Sequence, residues 1–207
     1  MSYLVIRPFD YQGRRLDEIG ERIVLALPSG GALEIGEEIR MNPLDRWLSL
    51  EPVPVTDRRP VDFFGFTVCY RKPEFSTGIG DRFMRYLESL HGGRPGKLLV
   101  VTSLPAKGGS MRLAYGTALD KTAIVSAYGE MFGEPDTDMH VERVVKVGIR
   151  EFGHLLGLEV HNGTPRKTSK GKLCPMNDSP EGMSAGEMFD SLDSSFCEDC
   201  YDALLNE

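Results

Sequence analysis

The sequence predicts an α/β fold: a mixed β-sheet with flanking helices, followed by a small cysteine-containing subdomain. Segments typical of strands and helices alternate through the first part of the chain. A long, largely apolar helical pattern then covers residues 138–158, and three of the four cysteines lie within residues 174–200. We therefore expect a single domain, with residues 1–158 as its α/β part and residues 159–207 as its C-terminal subdomain.

The N-terminal segments predict a strand followed by a helix. Residues 2–9 are rich in β-forming side chains and alternate weakly, which favours a strand. Apolar residues recur at helical spacing over residues 16–27, and Pro28 ends that helix. Residues 32–41 predict short extended structure. Residues 43–60 are rich in proline and arginine, so we expect them to be irregular.

The middle of the chain continues the alternation of predicted strands and helices. Residues 63–70 predict a strand, and residues 78–90 predict a helix for which Ser76 or Thr77 is available as the cap. The apolar run at residues 98–102 is typical of a strand that is buried on both faces.

Two further strands precede the central helix. We expect them at residues 113–117 and 123–128, joined by a tight connection at residues 120–121. The helix over residues 138–158 is apolar around much of its circumference, so it should cross the centre of the domain. Gly157 lies where such a helix ends.

Composition and charge exclude several classes of protein. The 207 residues include 24 Lys and Arg against 31 Asp and Glu, a formal net charge of −7. This acidic balance argues against a protein that grips nucleic acid phosphates. The longest apolar run is far shorter than the ~20 residues of a membrane helix, and no export signal is visible. We therefore expect a cytoplasmic protein that binds neither nucleic acid nor membrane.

The cysteines are too few and too clustered for a disulfide framework. Cys174, Cys197 and Cys200 have a spacing typical of metal ligands. Cys69 stands alone in an apolar, strand-like run, where a free cysteine packs as a small buried side chain.

The end of the central helix carries part of a zinc-binding motif. Residues 150–161 match the pattern H-E-x-x-H-x-x-G-x-x-H at Glu151, His154 and Gly157. In that pattern two histidines four residues apart bind zinc from one helical face, and the glutamate polarises the metal-bound water. The glycine lets the chain turn sharply, so that a third ligand returns to the metal.

Downstream of this motif, Cys174-Pro-Met176 and Phe196-Cys197-Glu-Asp-Cys200 complete a wider pattern. On these residues the chain resembles the archaemetzincins, a family of zinc metallopeptidases of the metzincin clan. The resemblance covers residues 98–205, and more loosely the whole chain. It implies a metzincin-like active-site helix and a zinc-stapled C-terminal subdomain.

The resemblance also implies roles for individual residues. It implies zinc-dependent cleavage of a peptide or protein substrate, with Glu151 as the general base and His154 as a ligand of the catalytic zinc. Met176 corresponds to the Met-turn residue of the family, an apolar floor beneath the catalytic site.

The chain departs from the family pattern at the ligands themselves. Aligned without a gap, Arg150 stands at the first zinc-binding histidine, Val160 at the third and His161 at the family's first cysteine. Arginine stays protonated and has no lone pair for zinc, and valine has no donor atom. Because catalytic zinc normally has three protein ligands, a site that retains only His154 holds the metal poorly.

Two registers remain open for His161. In the gapless register it joins Cys174, Cys197 and Cys200 in a Cys3His set that suits one structural zinc ion. A one-residue shift at the turn makes it a catalytic ligand beside His154 instead, and the cysteine set then lacks its fourth ligand. The twelve residues between His161 and Cys174, against four in the family, leave room for that shift. We favour the gapless register.

Three hypotheses follow for function. The first is a protein that has lost proteolysis, keeps one structural zinc and binds peptides in the old cleft, where Arg150 supplies a permanent positive charge and substitutes structurally for zinc. We expect a carboxylate as the partner of that charge. The second is an active peptidase that uses His154, His161 and Glu151. The third is an interaction module held together by zinc, with no function in the cleft.

Overall fold

A computed structural model gives the fold and describes residues 2–28, 30–55, 61–63, 66–68, 75–91, 94–107, 113–161, 163–177 and 184–206. In chain order, the elements of these ranges are β1 (Ser2–Phe9), α1 (Leu16–Leu25), β2 (Gly31–Ile35), α2 (Pro43–Ser49), β3 (Leu50–Pro54), β4 (Val61–Phe63), β5 (Phe66–Val68), β6 (Phe75–Ile79), α3 (Asp81–His91), β7 (Lys97–Thr102), β8 (Ala106–Lys107), β9 (Leu113–Ala114), β10 (Gly116–Leu119), β11 (Thr122–Ser126), α4 (Asp138–Leu155), α5 (Ala185–Ser191) and α6 (Glu198–Leu205). None of the helices in these ranges has the length and hydropathy needed to cross a bilayer.

The central sheet has five strands in the order β10-β11-β7-β1-β2. Neighbouring strands run parallel from β2 through β1 and β7 to β11, and only β10 is antiparallel to its neighbour. Strands β3, β6, β8 and β9 form a second mixed sheet, and β4 pairs with β5. The order places β10 at an edge of the central sheet as the structure describes it, and this edge borders the candidate site.

Helices cover both faces of the central sheet. Along β7, Leu99 and Val101 face a core cluster that contains the apolar residues of α1 and α4. Leu98 and Val100 face a second cluster, which contains those of α3. This alternation follows from the two-residue period of a strand. It explains why β7 is apolar on both faces, as the sequence predicted.

The central helix α4 positions the candidate site. The hydroxyl group of Thr137 caps its start and accepts a hydrogen bond from the backbone N–H of His140, at 3.2 Å. Its valines are buried against the sheet and α1. The helix ends at Leu155, three residues before the predicted boundary.

Two sequence predictions about elements need correction. Residues 43–54 are not irregular, because Asn42 caps α2 and Pro43 occupies its first turn, so the proline marks a helix start. The helix predicted over 78–90 begins at Asp81, since β6 extends to Ile79 and contains Ser76 and Thr77.

The predicted strand at 63–70 corresponds to the end of β4 and all of β5, which pair in antiparallel fashion. Residues 64–65 and 69–70, including Cys69, lie outside the described residues. The division of the domain at residue 158 stays a prediction.

Candidate functional site

Four side chains of the C-terminal segment converge on one point. The Nε2 atom of His161 lies 3.3 Å from Sγ of Cys197 and 3.2 Å from Sγ of Cys200. The Sγ atoms of Cys174 and Cys200 are 3.8 Å apart, and all four ligand atoms lie within 4.8 Å of one another. Ligands on a tetrahedral zinc ion are about 3.5–3.8 Å apart, from the usual Zn–S and Zn–N bond lengths. The group could therefore hold one zinc ion.

Local structure explains how these ligands meet. Cys197 is the N-cap of α6 and Cys200 lies in the first turn of that helix, so the Cys-x-x-Cys spacing presents two sulfur atoms from one helical turn. Cys174 is tied to the preceding loop, because its backbone N–H donates to the carbonyl oxygen of Arg166 at 3.0 Å. His161 is held by its backbone N–H, which donates to the carbonyl oxygen of Met176 at 2.8 Å.

The charge of the cysteine cluster also suits a cation. All three thiols are buried. A hydrogen bond with Cys200 lowers the pKa of the Cys174 thiol, which favours a thiolate at that position. The same hydrogen bond raises the pKa of Cys200 far above its usual range, and burial raises the pKa of Cys197. A bound zinc ion would stabilise all three sulfur atoms as thiolates.

Helix α4 ends in a tight turn that brings the chain back toward this cluster. Gly157 has φ +84°, which favours glycine. The N–H of Leu158 donates to the carbonyl oxygen of Gly153 at 3.0 Å, and the N–H of Gly157 donates to that of His154 at 3.0 Å. These two bonds are a Schellman motif. They confirm the sharp turn that the sequence predicted at Gly157.

A cavity of about 390 Å³ lies between the last turns of α4 and the edge strand β10. The helix contributes four residues to its wall, and the strand with Asp120 contributes the opposite side. The helical residues are Arg150, Glu151, His154 and Leu155. The predicted catalytic residues thus face one open space beside a strand edge.

Arg150 bonds to the chain segment that follows Cys174. Its Nη1 atom donates to the carbonyl oxygen of Pro175 at 3.2 Å and to that of Asn177 at 2.5 Å. These two contacts are with backbone carbonyl groups, and the carboxylate partner that the sequence suggests for this charge stays a prediction. A guanidinium group at the first ligand position of the motif therefore links α4 to this segment.

Met176 lies between those two carbonyl groups and is fully buried under α4. A β-carbon on Gly153 would lie 2.8 Å from the Met176 sulfur atom and 3.1 Å from the ring of Phe196. The glycine therefore allows the helix to rest directly on this apolar floor. Met176 thus lies beneath α4, and its role as the floor of a catalytic site stays a prediction.

Glu151 is 5% exposed and lies against the backbone of β10. Burial raises the pKa of its carboxyl group to about 7, although the positive charge of Arg150 acts in the opposite direction. A β-carbon on Gly116 would lie 2.4 Å from Oε1 of Glu151. Sequence reasoning missed Gly116, although a glycine within a strand signals such a close approach.

His154 is held by the helix end. Its Nδ1 atom donates to the carbonyl oxygen of Leu158 at 3.2 Å, which leaves the lone pair on Nε2. Burial, and then the charge of Arg150, lower its pKa, so the imidazole is neutral at pH 7.

His154 lies outside the cysteine cluster. That cluster with His161 is the only group of three or more potential metal ligands among the described residues. Arg150 and Val160 offer no lone pair. The structure thus brings His161 to the cysteines, as the gapless register requires.

Comparison with known proteins shows where this architecture recurs. No protein-family model matches the sequence, and no curated protein matches it. Among solved structures, the archaemetzincin from Methanopyrus kandleri is similar over 99% of this chain and 94% of its own, with a TM-score of 0.62 and 18% identity.

Two other solved structures are similar over nearly their whole length. A zinc-dependent peptidase from Methanocorpusculum labreanum is covered over 99% of its chain and 97% of this one, with a TM-score of 0.55 and 17% identity. The archaemetzincin from Archaeoglobus fulgidus, solved in complex with malonate, is covered over 98% of its chain and 97% of this one, with a TM-score of 0.51 and 17% identity.

The fold and the site together define a metzincin-like α/β protein with a Cys3His group that could bind one zinc ion. More specifically, the chain has the archaemetzincin fold over essentially its full length. The resemblance deduced from residues 98–205 is confirmed for the fold.

Proposed function

We propose that this chain is a zinc-stabilised peptide-binding protein built on the archaemetzincin fold, and that it has lost metal-dependent hydrolysis. One observation carries the proposal. The Arg150 guanidinium stands where the motif requires the first zinc ligand, and it is bonded to the carbonyl oxygens of Pro175 and Asn177.

The chemistry of that position opposes a metal ion. Residue 150 precedes His154 by four positions, so both side chains leave the same face of α4. A guanidinium group has five N–H donors, no lone pair and a permanent positive charge. It repels a divalent cation beside His154, and its hydrogen bonds tie α4 to the segment that contains Pro175 and Asn177.

The edge strand supports a peptide ligand. The Ser126 N–H donates to the carbonyl oxygen of Tyr115 at 2.9 Å. In an antiparallel pair, successive residues of a strand alternate between hydrogen-bonding to the partner strand and pointing away from it. Thr117 therefore bonds toward β11, whereas the N–H groups of Gly116 and Ala118 point outward from the edge. Such outward groups bind an extended peptide as an additional strand. The likeness to a zinc-dependent peptidase also points to a peptide ligand.

A second candidate is an active metallopeptidase. It is favoured by Glu151 and His154, which line one cavity as a general base and a zinc ligand do. An active metallopeptidase needs further ligands for a catalytic metal ion, whereas the peptide-binding function needs no metal ion in the cleft.

Two measurements on the purified protein separate these functions. Elemental analysis should give close to one zinc per chain, and incubation with mixed peptides should give no cleavage that a chelator abolishes. A zinc content near two, or chelator-sensitive cleavage, would overturn the loss of hydrolysis in favour of the peptidase.

Peptide binding is tested separately. Peptides selected from a random display library on the zinc-loaded protein should bind it. Ala118→Pro, which removes an outward N–H at a position where an edge strand tolerates proline, should abolish that binding. Ala118→Gly keeps the N–H and should bind normally. If no peptide is selected, or if Ala118→Pro binds as well as the wild type, the chain is an interaction module without a function in the cleft.

A further inference from the structure

We infer that Arg150, although not a zinc ligand, governs how firmly the Cys3His centre retains zinc, because it anchors the ligand-bearing turn 174–177 to helix α4. This inference concerns the metal centre and does not depend on peptide binding.

The turn 174–177 contacts both the cysteine cluster and Arg150 of helix α4. At one end Cys174 supplies a sulfur atom to the metal centre. At the other end the carbonyl oxygens of Pro175 and Asn177 accept hydrogen bonds from Nη1 of Arg150. The N–H of Asn177 donates to the carbonyl oxygen of Cys174 at 3.0 Å and closes the turn. A displacement at one end is therefore transmitted over only four residues to the other.

A second ligand is fastened to the same turn. The N–H of His161 donates to the carbonyl oxygen of Met176 at 2.8 Å. The side chain of Asn177 makes two hydrogen bonds to the backbone of Arg166. It accepts from the N–H at 2.8 Å and donates to the carbonyl oxygen at 2.7 Å. Two of the four ligands thus depend on the placement of this turn.

The other two ligands come from a different support. Cys197 and Cys200 belong to the start of α6, and the adjoining Phe196 packs near Gly153 of α4. Two ligands, Cys174 and His161, therefore depend on the turn, and the other two come from α6. Arg150 keeps the first pair correctly placed relative to the second. Groups that orient metal ligands from outside the coordination sphere typically change metal affinity by about 10–100-fold when they are removed.

The test measures zinc transfer from the zinc-loaded full-length protein to a coloured chelator in excess. Arg150→Met keeps the length and apolar stem of the side chain but has no donors, so zinc release should be at least about tenfold faster than in the wild type. Arg150→Lys keeps a charge and one shorter donor group, and its release rate should lie between the two.

Arg143→Met is the matched control. Arg143 lies on the same helix two turns earlier, and it binds the carboxylate of Asp190 at 2.8 Å and the carbonyl oxygen of Met131. Its loss removes comparable bonds, but none of them to turn 174–177, so zinc release should stay at the wild-type rate even where the melting temperature falls.

Two results would overturn the inference: a wild-type release rate in Arg150→Met, or an equal acceleration in Arg143→Met. If Arg150→Met does not fold, Arg150→Lys decides, since a wild-type release rate in that variant would contradict the same argument. A readout of zinc release keeps this test distinct from those of hydrolysis and peptide binding.

Discussion

The carboxyl group of Glu151 occupies the space that a side chain on Gly116 would need, since a β-carbon there would lie 2.4 Å from Oε1. This contact joins helix α4 to the edge strand β10 at the wall of the cavity. It makes Gly116 a position where even a methyl group is too large.

Gly116→Ala should therefore destabilise the protein. Overpacking of a buried contact costs about 1–3 kcal/mol, and urea unfolding should show a loss in that range. Gly186→Ala in α5 is the control, because the nearest heavy atom to its β-carbon is 3.9 Å away. That variant should keep or slightly raise stability, since alanine favours a helix. Equal effects of the two substitutions would contradict the close approach.

Glu151 should give stability a specific dependence on pH. Burial raises its pKa in the folded protein to about 7, from the ordinary value of 4.5. Between these two values the folded state binds more protons than the unfolded state, so this group's contribution to stability falls as the pH rises and levels off above pH 7.

The glutamine of the Glu151→Gln variant cannot ionise, so this variant should not show the fall in stability with rising pH. Relative to the wild type, its free energy of unfolding should rise by about 3 kcal/mol between pH 4.5 and pH 8. Urea titrations of both proteins at each pH measure this, and the shared cysteine cluster cancels in the difference. A stability difference that is independent of pH would mean that Glu151 is not protonated in the folded protein.

Loss of a cysteine ligand should act locally. Cys197→Ser or Cys200→Ser removes one sulfur from the cluster, so the purified variants should lose zinc, melt at a lower temperature and be cleaved by proteases beyond Leu158. A structural zinc contributes on the order of 10 kcal/mol in small isolated sites. Treatment with a chelator should reproduce the effect in the wild type and add nothing in the variants. Unchanged zinc content and unchanged protease resistance would contradict the assignment of these cysteines as zinc ligands.

If the chain has lost its catalytic ligands, as we propose, histidines at the motif positions should restore a metal site. Arg150→His combined with Val160→His places two imidazoles at the missing motif positions, beside His154 and Glu151. Zinc content should then rise from about one to about two per chain, because three histidines suffice for a catalytic-type site. Arg150→Ala alone should add no zinc, since only His154 would remain. A double variant without additional zinc would contradict the gapless register.

The parts of the fold that the sequence predicted well are continuous apolar segments of distinctive length. Helix α4 has 18 residues, which is too long for an ordinary strand, whereas β7 and β11 are short runs rich in β-forming residues. Helix α2 was missed because Pro43 at its first turn resembles a loop signal. The start of α3 was misplaced because Ser76 and Thr77 resemble a cap but belong to β6.

The candidate site was predictable to the extent that side chains define it. The spacing of His161 and the three cysteines indicated one cluster, and the structure brings these residues together. The two backbone contacts of Arg150 were not predictable, because backbone carbonyl groups leave no trace in the sequence. Only the fold carries the oxygens of Pro175 and Asn177 to the guanidinium.

The two short C-terminal helices have a consequence for the order of folding. Helix α5 has seven residues and α6 has eight, whereas isolated helices shorter than about 12–15 residues are marginal in water. Metal ligation of residues 161 and 200 closes a loop across a separation of 39 positions, and closing a loop of that size restricts the unfolded chain by about 4 kcal/mol. The sheet and its first helices can therefore assemble from their own apolar contacts, whereas the C-terminal helices, which reach the core through Phe189, would gain this further constraint only after zinc is bound.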